Sequence, residues 1–406
     1  MLSSDFDYKL PDNKIARHPV SPRSSAKLLH LSHDSIQHTS FEDLPQALIE
    51  HGCDGLWANE TKVLQARLYM VKPTGGRLEI FLLESLEGVA EIALSAIGSS
   101  KWRCLIRGGK KWIAELATAE VDELKLEVRP VDIDAGLIKE EGGTFALNFT
   151  WNGDKCFGDV LDTLGKMPLP PYMKRESDAS DTFEYQTVFA RSPGSVAAPT
   201  AGLHYDPGLL ENLKLAGLPL NTLTLHVGAG TFKPLSDGPI DMHVMHSERC
   251  VVYKSDLEKL LNEKRRVATG TTTLRTLESL YWMAIVHMRD GEFPDSLSQW
   301  APYEDSVKPF AAASYENAIQ YLLDYAPIED AWSFSTSIMI RPGYKIRSIT
   351  ALITNFHQPG STLLCLVSAC IESSNSAITW RDLYSEALSS DYRFLSYGDG
   401  CLLEIS

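Results

Sequence analysis

The runs "ARLYMVK" (Ala66–Lys72) and "GRLEIFLLESL" (Gly76–Leu86) decide how this fold is read. Both are short and rich in leucine, aromatic and β-branched residues, and Pro73, Thr74 and Gly75 turn the chain between them. The same texture continues through "AEIALSAI" (Ala90–Ile97), "WRCLIRGG" (Trp102–Gly109), "KWIAELAT" (Lys111–Thr118), "LKLEVRPVD" (Leu124–Asp132) and "TFALNFTW" (Thr144–Trp151). Short strands at close spacing, parted by Gly, Pro and charged turns, predict a small antiparallel barrel or sandwich over residues 62–151.

On either side the texture changes. "FEDLPQALIEHG" reads as a short amphipathic helix, followed by "GLWANETKV". After Phe157 strands alternate with helices. "DPGLLENLKLAG" is a helix with Asp206 as N-cap, Pro207 at the first position and Gly217 closing it. "LPLNTLTLHVG" is a strand, "KSDLEKLLNEKRR" a helix capped by Ser255, "VATGTT" a strand and "TLRTLESLYWMAIVHMRDG" a helix. "ITALITNF", "STLLCLVSAC", "WRDLYSEALSSDY" and "RFLSYGDGCLLEI" add strand, helix, helix and a closing strand. The fold class expected is α/β: a barrel-like α/β domain of residues 1–61 and 152–406, with a small antiparallel β-barrel domain inserted at 62–151. Functional loops of such folds gather at the C-terminal ends of strands. The polar segment Met173–Gln186 is expected to be an exposed, mobile loop.

Composition narrows the function classes. The 406 residues are 44% hydrophobic and 22% charged, as in ordinary globular proteins with a sizeable core. A net charge of -15 argues against a generally basic nucleic-acid binder and against adhesion to anionic membranes, while leaving room for a local basic patch. Seven scattered cysteines without a CxxC pair read as reduced thiols, so a cytoplasmic protein is expected. The N-terminus lacks a signal-peptide pattern, and the longest apolar run is too short to span a bilayer.

Four of the 11 histidines, His204, His226, His243 and His246, fall within one short stretch, each near an expected strand end or loop. His204 and Tyr205 close the small-residue loop "GSVAAPTAGLHYD", where Gly202 lets backbone lie close to a ligand. In "LTLHVGAGTFKP", Gly228 and Gly230 allow close approach and Thr231 offers a hydroxyl, though the stretch lacks the GxGxxG and P-loop patterns and a plain strand-to-loop turn is the simpler reading. His243 and His246 could share a helical face and hold a metal, but with no HExxH and no cysteine pair a hydrogen-bonding role ranks higher and no metal is expected. Glu248 could orient a histidine or act as a base. In "GTTTLRTLES" a strand runs into a helix, so Thr271 and Thr272 with Arg275 offer donors to an anion or carboxylate. "LITNFHQPGSTLL" repeats that design with Asn355 and His357. Local basic clusters include Arg17 and Arg23, Arg107 to Lys111, and Lys345 with Arg347; each taken singly is a solvated loop or a phosphate contact.

Taken together, "SDFDYKLPDNKIARHPVSPRSSAKLL", "NETKVLQARL", "PLPPYMKR", "YQTVFARSPGSVAAPTAGLHY", "LTLHVGAGTFKPL", "HVMHSE", "GTTTLRTLES", "IRPGYK", "LITNFHQPGSTLL" and "YRFLSYGDGCLL" resemble, in order and over nearly the whole chain, the S-adenosylmethionine:tRNA ribosyltransferase-isomerase family of queuosine biosynthesis. The resemblance implies an α/β-barrel-like domain interrupted by a small β-barrel. It implies transfer and isomerisation of the ribosyl part of S-adenosylmethionine onto the 7-aminomethyl-7-deazaguanine base of a tRNA anticodon, giving epoxyqueuosine-tRNA with loss of adenine and methionine. No cofactor is expected beyond S-adenosylmethionine, which is a substrate, and a monomer without membrane contact is expected. That chemistry needs a base for a C5′ hydrogen beside the sulfonium, an acid for departing adenine and a neutral attacking amine, all tasks for groups titrating near neutrality. His204, Tyr205, His226, His246 and Glu248 are the acid/base candidates. Thr271, Thr272 and Arg275 would take the methionine carboxylate. Gly202, Gly228, Gly230 and Thr231 would admit ribose or adenine, and Asn355 and His357 would complete the wall. Arg17, Arg23, Lys174, Lys345 and Arg347 are weaker candidates for tRNA phosphates. Alanine at His204 or His226 is expected to leave folding intact and collapse turnover. The segment around 281–335 reads as longer than the family pattern, either a lid or appendage or a surface insertion. Two other classes stay open at this point: a metal-dependent or phosphosugar-processing barrel enzyme using His243 and His246, and a non-catalytic RNA-binding protein using the β-barrel.

Overall fold

A computed structural model describes residues 1–108, 112, 116–132, 143–228, 230 and 235–405. It contains a closed barrel of six strands: β5 (Arg67–Val71), β6 (Arg77–Ser85), β7 (Ser99–Arg107), β8 (Ala117–Val121), β9 (Leu124–Pro130) and β10 (Phe145–Trp151), in the order β10-β7-β6-β5-β8-β9. All described pairings within it are antiparallel. Alternate residues point inward, so Leu68, Met70, Leu78, Ile80, Leu82, Trp102, Leu126, Val128, Leu147 and Phe149 form one buried cluster. The run Ala90–Ile97, expected as a strand, is instead the short helix α2 (Ala90–Ser95). Its Ala, Glu and Leu residues favour helix, and Ala93 and Leu94 bury against the barrel while Ile92 stays exposed. Much of "KWIAELAT", including Lys111, lies outside the described residues, as does Lys110 before it.

Among the described residues the larger sheet has ten strands. They are β1 (Lys27–Ser32), β2 (Ser35–Ser40), β3 (Gly55–Asn59), β12 (Leu220–His226), β13 (Glu248–Tyr253), β14 (Arg266–Thr269), β15 (Ser296–Leu297), β16 (Ala331–Thr336), β17 (Ala351–Asn355) and β18 (Gly400–Glu404). Their order is β15-β16-β13-β12-β3-β14-β17-β18-β1-β2. A separate pair, β4 (Thr61–Val63) with β11 (Ser192–Ser195), lies where the chain passes towards the barrel. The central run β12-β3-β14-β17 is parallel. The flanks are mixed rather than uniformly parallel, because β13 returns antiparallel to β12, β18 is antiparallel to β17, and β1–β2 is a tight hairpin turned at His33. The sheet stays open, with β15 and β2 as its edges.

Strands β3, β14 and β17 are buried along their whole length, as central parallel strands are when both faces are covered. Helix α7 (Thr271–Asp290) is buried from Thr271 to Val286. It is enclosed because the 291–336 segment, with helix α8 (Tyr315–Tyr325), packs over it; Tyr281 Oη donates to the Ala311 and Ala313 carbonyls, and Tyr315 Oη to that of Leu277. This segment therefore forms a packing layer. The Met173–Gln186 stretch is likewise anchored rather than free. Arg175 makes a two-pronged ion pair with fully buried Asp181 (2.6 and 2.7 Å), Tyr397 Oη donates to the same carboxylate at 3.0 Å, and the Gln186 amide pairs with both backbone groups of Val63. No helix among the described residues is long and apolar enough to cross a membrane.

Candidate active site

Strands β14 and β17 lie side by side and end at Thr269 and Asn355. β14 runs straight into α7, and β17 reaches α9 (Thr362–Ser373) through residues 356–361, so two helix N-termini lie at one edge of the sheet. Two adjoining cavities open there and share Thr271, Thr272 and Leu363. The first, about 720 Å³, is lined also by Tyr172, Tyr185, Ala197–Ala201, Gly270, Thr354–Gln358 and Ser396. The second, about 560 Å³, is lined also by Gly230, His243, Met245, His246, Glu248, Arg275 and Ile338–Ile340.

Gly270 caps α7 with φ +91°, a backbone that disfavours side-chain-bearing residues, and its N–H donates to the Ile353 carbonyl at 2.7 Å. The first turn of a helix has N–H groups without intrahelical acceptors and carries the positive end of the helix dipole. Two further polar atoms here are buried without a partner: Thr272 Oγ1 and Arg275 Nη2. The rest of the Arg275 guanidinium is committed, with Nη1 on the Glu248 carboxylate and Nε on the Ile338 carbonyl. An Arg–Glu pair with one amino group of the arginine unspent matches a zwitterion, whose carboxylate meets the cation and whose ammonium meets the anion.

A Cβ at 230 would fall within the His246 ring, so the ring keeps its place only beside glycine. The two residues are thus packed face to face in the second cavity. His243 and His246 lie on a stretch with no helix, so they do not share a helical face. Among the described residues no group of three His, Cys, Asp or Glu side chains is arranged to hold a metal.

Asn355 is fully spent. Its Nδ2 donates to the Leu395 and Ser396 carbonyls (2.8 and 3.2 Å), which leaves Oδ1 facing His204 Nε2 at 3.1 Å. His204 is therefore the Nε2–H tautomer and the donor. The clamp holds a bend in which Leu395 has φ +71°, an uncommon conformation for leucine. Ser396, on that bend, meets Tyr172 Oη at 2.5 Å, and both line the first cavity. His204 itself stands behind Asn355, stacked on Phe41 (centroids 4.1 Å apart). Tyr205 is also behind the wall, its hydroxyl 2.8 Å from Thr269 Oγ1. His357 lines the first cavity with Nε2 2.9 Å from Thr354 Oγ1, while its backbone is held by Tyr384 and Tyr8 hydroxyls.

Burial lowers His204 to about 4 and His357 to about 3, from an ordinary 6.5. The unfolded chain thus binds protons at these positions before the folded chain does. Their contribution to stability is complete above pH ~6.5 and is lost as the pH falls towards 4, at up to ~1.4 kcal/mol per pH unit for each histidine. Urea unfolding at pH 7, 6 and 5 is expected to show this slope, and His204→Gln to flatten it; a flat profile in the unsubstituted protein rejects the account. The buried ring also revises the expectation for His204→Ala, which empties space against Phe41 and strips Asn355 of its donor. A loss of ~2–4 kcal/mol in stability is expected in the same titration.

The remaining candidates lie elsewhere. His226 ends β12 and lines neither cavity, with Nδ1 3.4 Å from Thr61 Oγ1 and Nε2 3.4 Å from Glu91 of α2, so it joins the sheet to the inserted segment. A Cβ on Gly194 would press on that ring at 2.7 Å. Gly202 packs on Thr187 and Phe189, and Gly228 faces open space. Thr231 lies outside the described residues. Arg17 and Lys174 both pair with Asp12; Arg23 donates to the Gln186 and Phe183 carbonyls. Arg347 stacks among Tyr281, Trp282 and Tyr344, and Lys345 is exposed. Sequence reasoning missed Tyr172, Tyr185, Ser361, Leu363 and Ser396. Ser361 carried a usable signal as the N-cap of α9, where its Oγ accepts from Leu364 N–H.

The family model described as queuosine biosynthesis protein matches residues 3–403. The chain belongs to that family. It is 39% identical over 403 residues to the S-adenosylmethionine:tRNA ribosyltransferase-isomerase of Azoarcus sp. strain BH72, covering 98% of this chain and 96% of that one. It is 35% identical over 404 residues to the protein of the same name in Dechloromonas aromatica strain RCB, with the same coverage. A solved chain, the S-adenosylmethionine tRNA ribosyltransferase of Thermotoga maritima, aligns over 98% of this chain and 99% of its own at 26% identity, with a TM-score of 0.43.

Proposed function

We propose that the protein transfers and isomerises the ribosyl moiety of S-adenosylmethionine onto the 7-aminomethyl-7-deazaguanine base of tRNA, releasing adenine and methionine and leaving epoxyqueuosine. The names of its full-length relatives support the reaction class. The observation that carries the reading is the pair of unpartnered buried groups, Arg275 Nη2 and Thr272 Oγ1, at the start of α7. The methionine carboxylate takes those groups and the first-turn N–H groups, its ammonium faces Glu248, and the nucleoside end enters the first cavity across Thr271 and Thr272. His246, which lines the same second cavity, is the acid/base group assigned to this methionine end. His204 and Tyr205 act by positioning: one fixes Asn355 and the Leu395–Ser396 bend, the other fixes Thr269 ahead of α7. His226 sets the inserted segment against the sheet.

The same reading takes the protein as a cytoplasmic monomer that needs no group beyond its two substrates, with residues 62–151 a unit apart from 1–61 and 152–406. The barrel's separate hydrophobic cluster supports that division. The test is incubation with S-adenosylmethionine and tRNA carrying the aminomethyl base, followed by nucleoside mass analysis. Epoxyqueuosine with stoichiometric adenine and methionine is expected. No new nucleoside, under conditions where the Azoarcus relative makes one, ends this reading.

A further inference from the structure

Residues 243–247 lack regular structure yet form one wall of the second cavity, so their backbone groups need partners from elsewhere. Gln299, from the layer over α7, supplies them. Its Nε2 donates to the His243 carbonyl at 2.7 Å, and its Oε1 accepts from Met245 N–H at 2.9 Å. Its own carbonyl accepts from Met339 N–H at 3.2 Å, on the facing wall. One residue that lines neither of the two cavities thus ties together two walls of the second. Behind it, Leu297 pairs with Thr336 of β16, and Tyr303 Oη donates to the Met339 carbonyl at 2.9 Å.

We propose that Gln299 is a positioning residue: it holds the His243–His246 segment as a wall of the second cavity and thereby sets affinity for the methionine end of S-adenosylmethionine. The inference rests on the substrate reading above. The amide is needed because it donates and accepts at once. Glutamate has the same shape and keeps the acceptor, but loses the donor and sets a carboxylate against the His243 carbonyl. A residue that merely filled space would tolerate that exchange.

Gln299→Glu and Gln299→Ala, made in the full chain, test this by amide exchange and by separate binding of S-adenosylmethionine and of tRNA. Both variants are expected to exchange about tenfold faster over residues 243–247 and to bind S-adenosylmethionine about tenfold more weakly, with tRNA affinity within about twofold. Unchanged exchange overturns the proposal. So does a glutamate variant that binds S-adenosylmethionine like the parent, or a parallel fall in both affinities. If the unsubstituted protein binds no S-adenosylmethionine, the substrate reading falls and this inference about affinity falls with it, while the exchange comparison still decides whether Gln299 holds the segment.

Discussion

Replacing Arg275 by alanine is expected to raise the KM for S-adenosylmethionine by ~100-fold or more, with the KM for tRNA within ~2-fold. The substrate carboxylate loses a charge-assisted hydrogen bond to a buried arginine, worth ~1.5–3 kcal/mol, and also loses the nearby positive charge. The substitution has a second effect. Arg275 and Glu248 are both buried, and alanine takes the arginine partner away from a buried carboxylate, which costs ~3–5 kcal/mol of stability. Arg275→Ala combined with Glu248→Gln separates the two effects. Neutralising Glu248 restores stability but supplies no carboxylate partner, so the double variant is expected to melt near the parent and still bind S-adenosylmethionine poorly. A stable double variant with the parent's KM would remove Arg275 from the substrate site.

The second large effect is expected from the smallest change. Gly230→Ala should lower kcat by ~100-fold or more and the melting temperature by only ~2–4 °C. The new methyl would occupy the space of the His246 imidazole, so the ring must leave its place in the second cavity. Repacking a partly exposed site costs little stability, whereas a displaced acid/base group costs much of its ~10²–10⁴-fold contribution. Removing the ring relieves the clash. Adding His246→Ala to Gly230→Ala is therefore expected to cost nothing further, and such non-additivity marks two residues acting as one unit. An alanine at 230 with undiminished kcat would show that the ring's position is irrelevant to turnover.

Much of this architecture was legible in the chain, for identifiable reasons. Barrel strands announce themselves because one face is buried and turns recur at short intervals, and the helix over Ala90–Ser95 was missed because six residues of Ala, Leu, Ile, Glu and Ser satisfy either pattern. Strand direction was less legible: nothing in "ERCVVY" says that β13 returns antiparallel, since that depends on its neighbours. At the site, strand ends identified Thr271, Thr272, Arg275, Asn355 and His357, all of which line the two cavities. Strand ends did not reveal which way a side chain faces. His204 and Tyr205 sit beside a cavity in sequence but turn into the core, and His226 turns to the inserted segment. Tyr172 and Ser396 meet across 224 positions of chain, a distance that local pattern does not bridge.

The place of β18 has a consequence for how the molecule is made. Residues 400–404 fill the slot between β17 and β1, and Asn355 lies opposite Gly400 in that pairing. During synthesis the barrel, whose strands all fall within residues 67–151, can close while the ribosome is still adding the rest. The larger sheet cannot be completed by then: until residue 404 emerges, β17 and β1 each show the nascent chain's surroundings an unpaired edge. Completion of the sheet beside Asn355 thus waits for β18, and a nascent chain whose residues 400–404 have not yet emerged carries a finished barrel and a larger sheet gapped between β17 and β1.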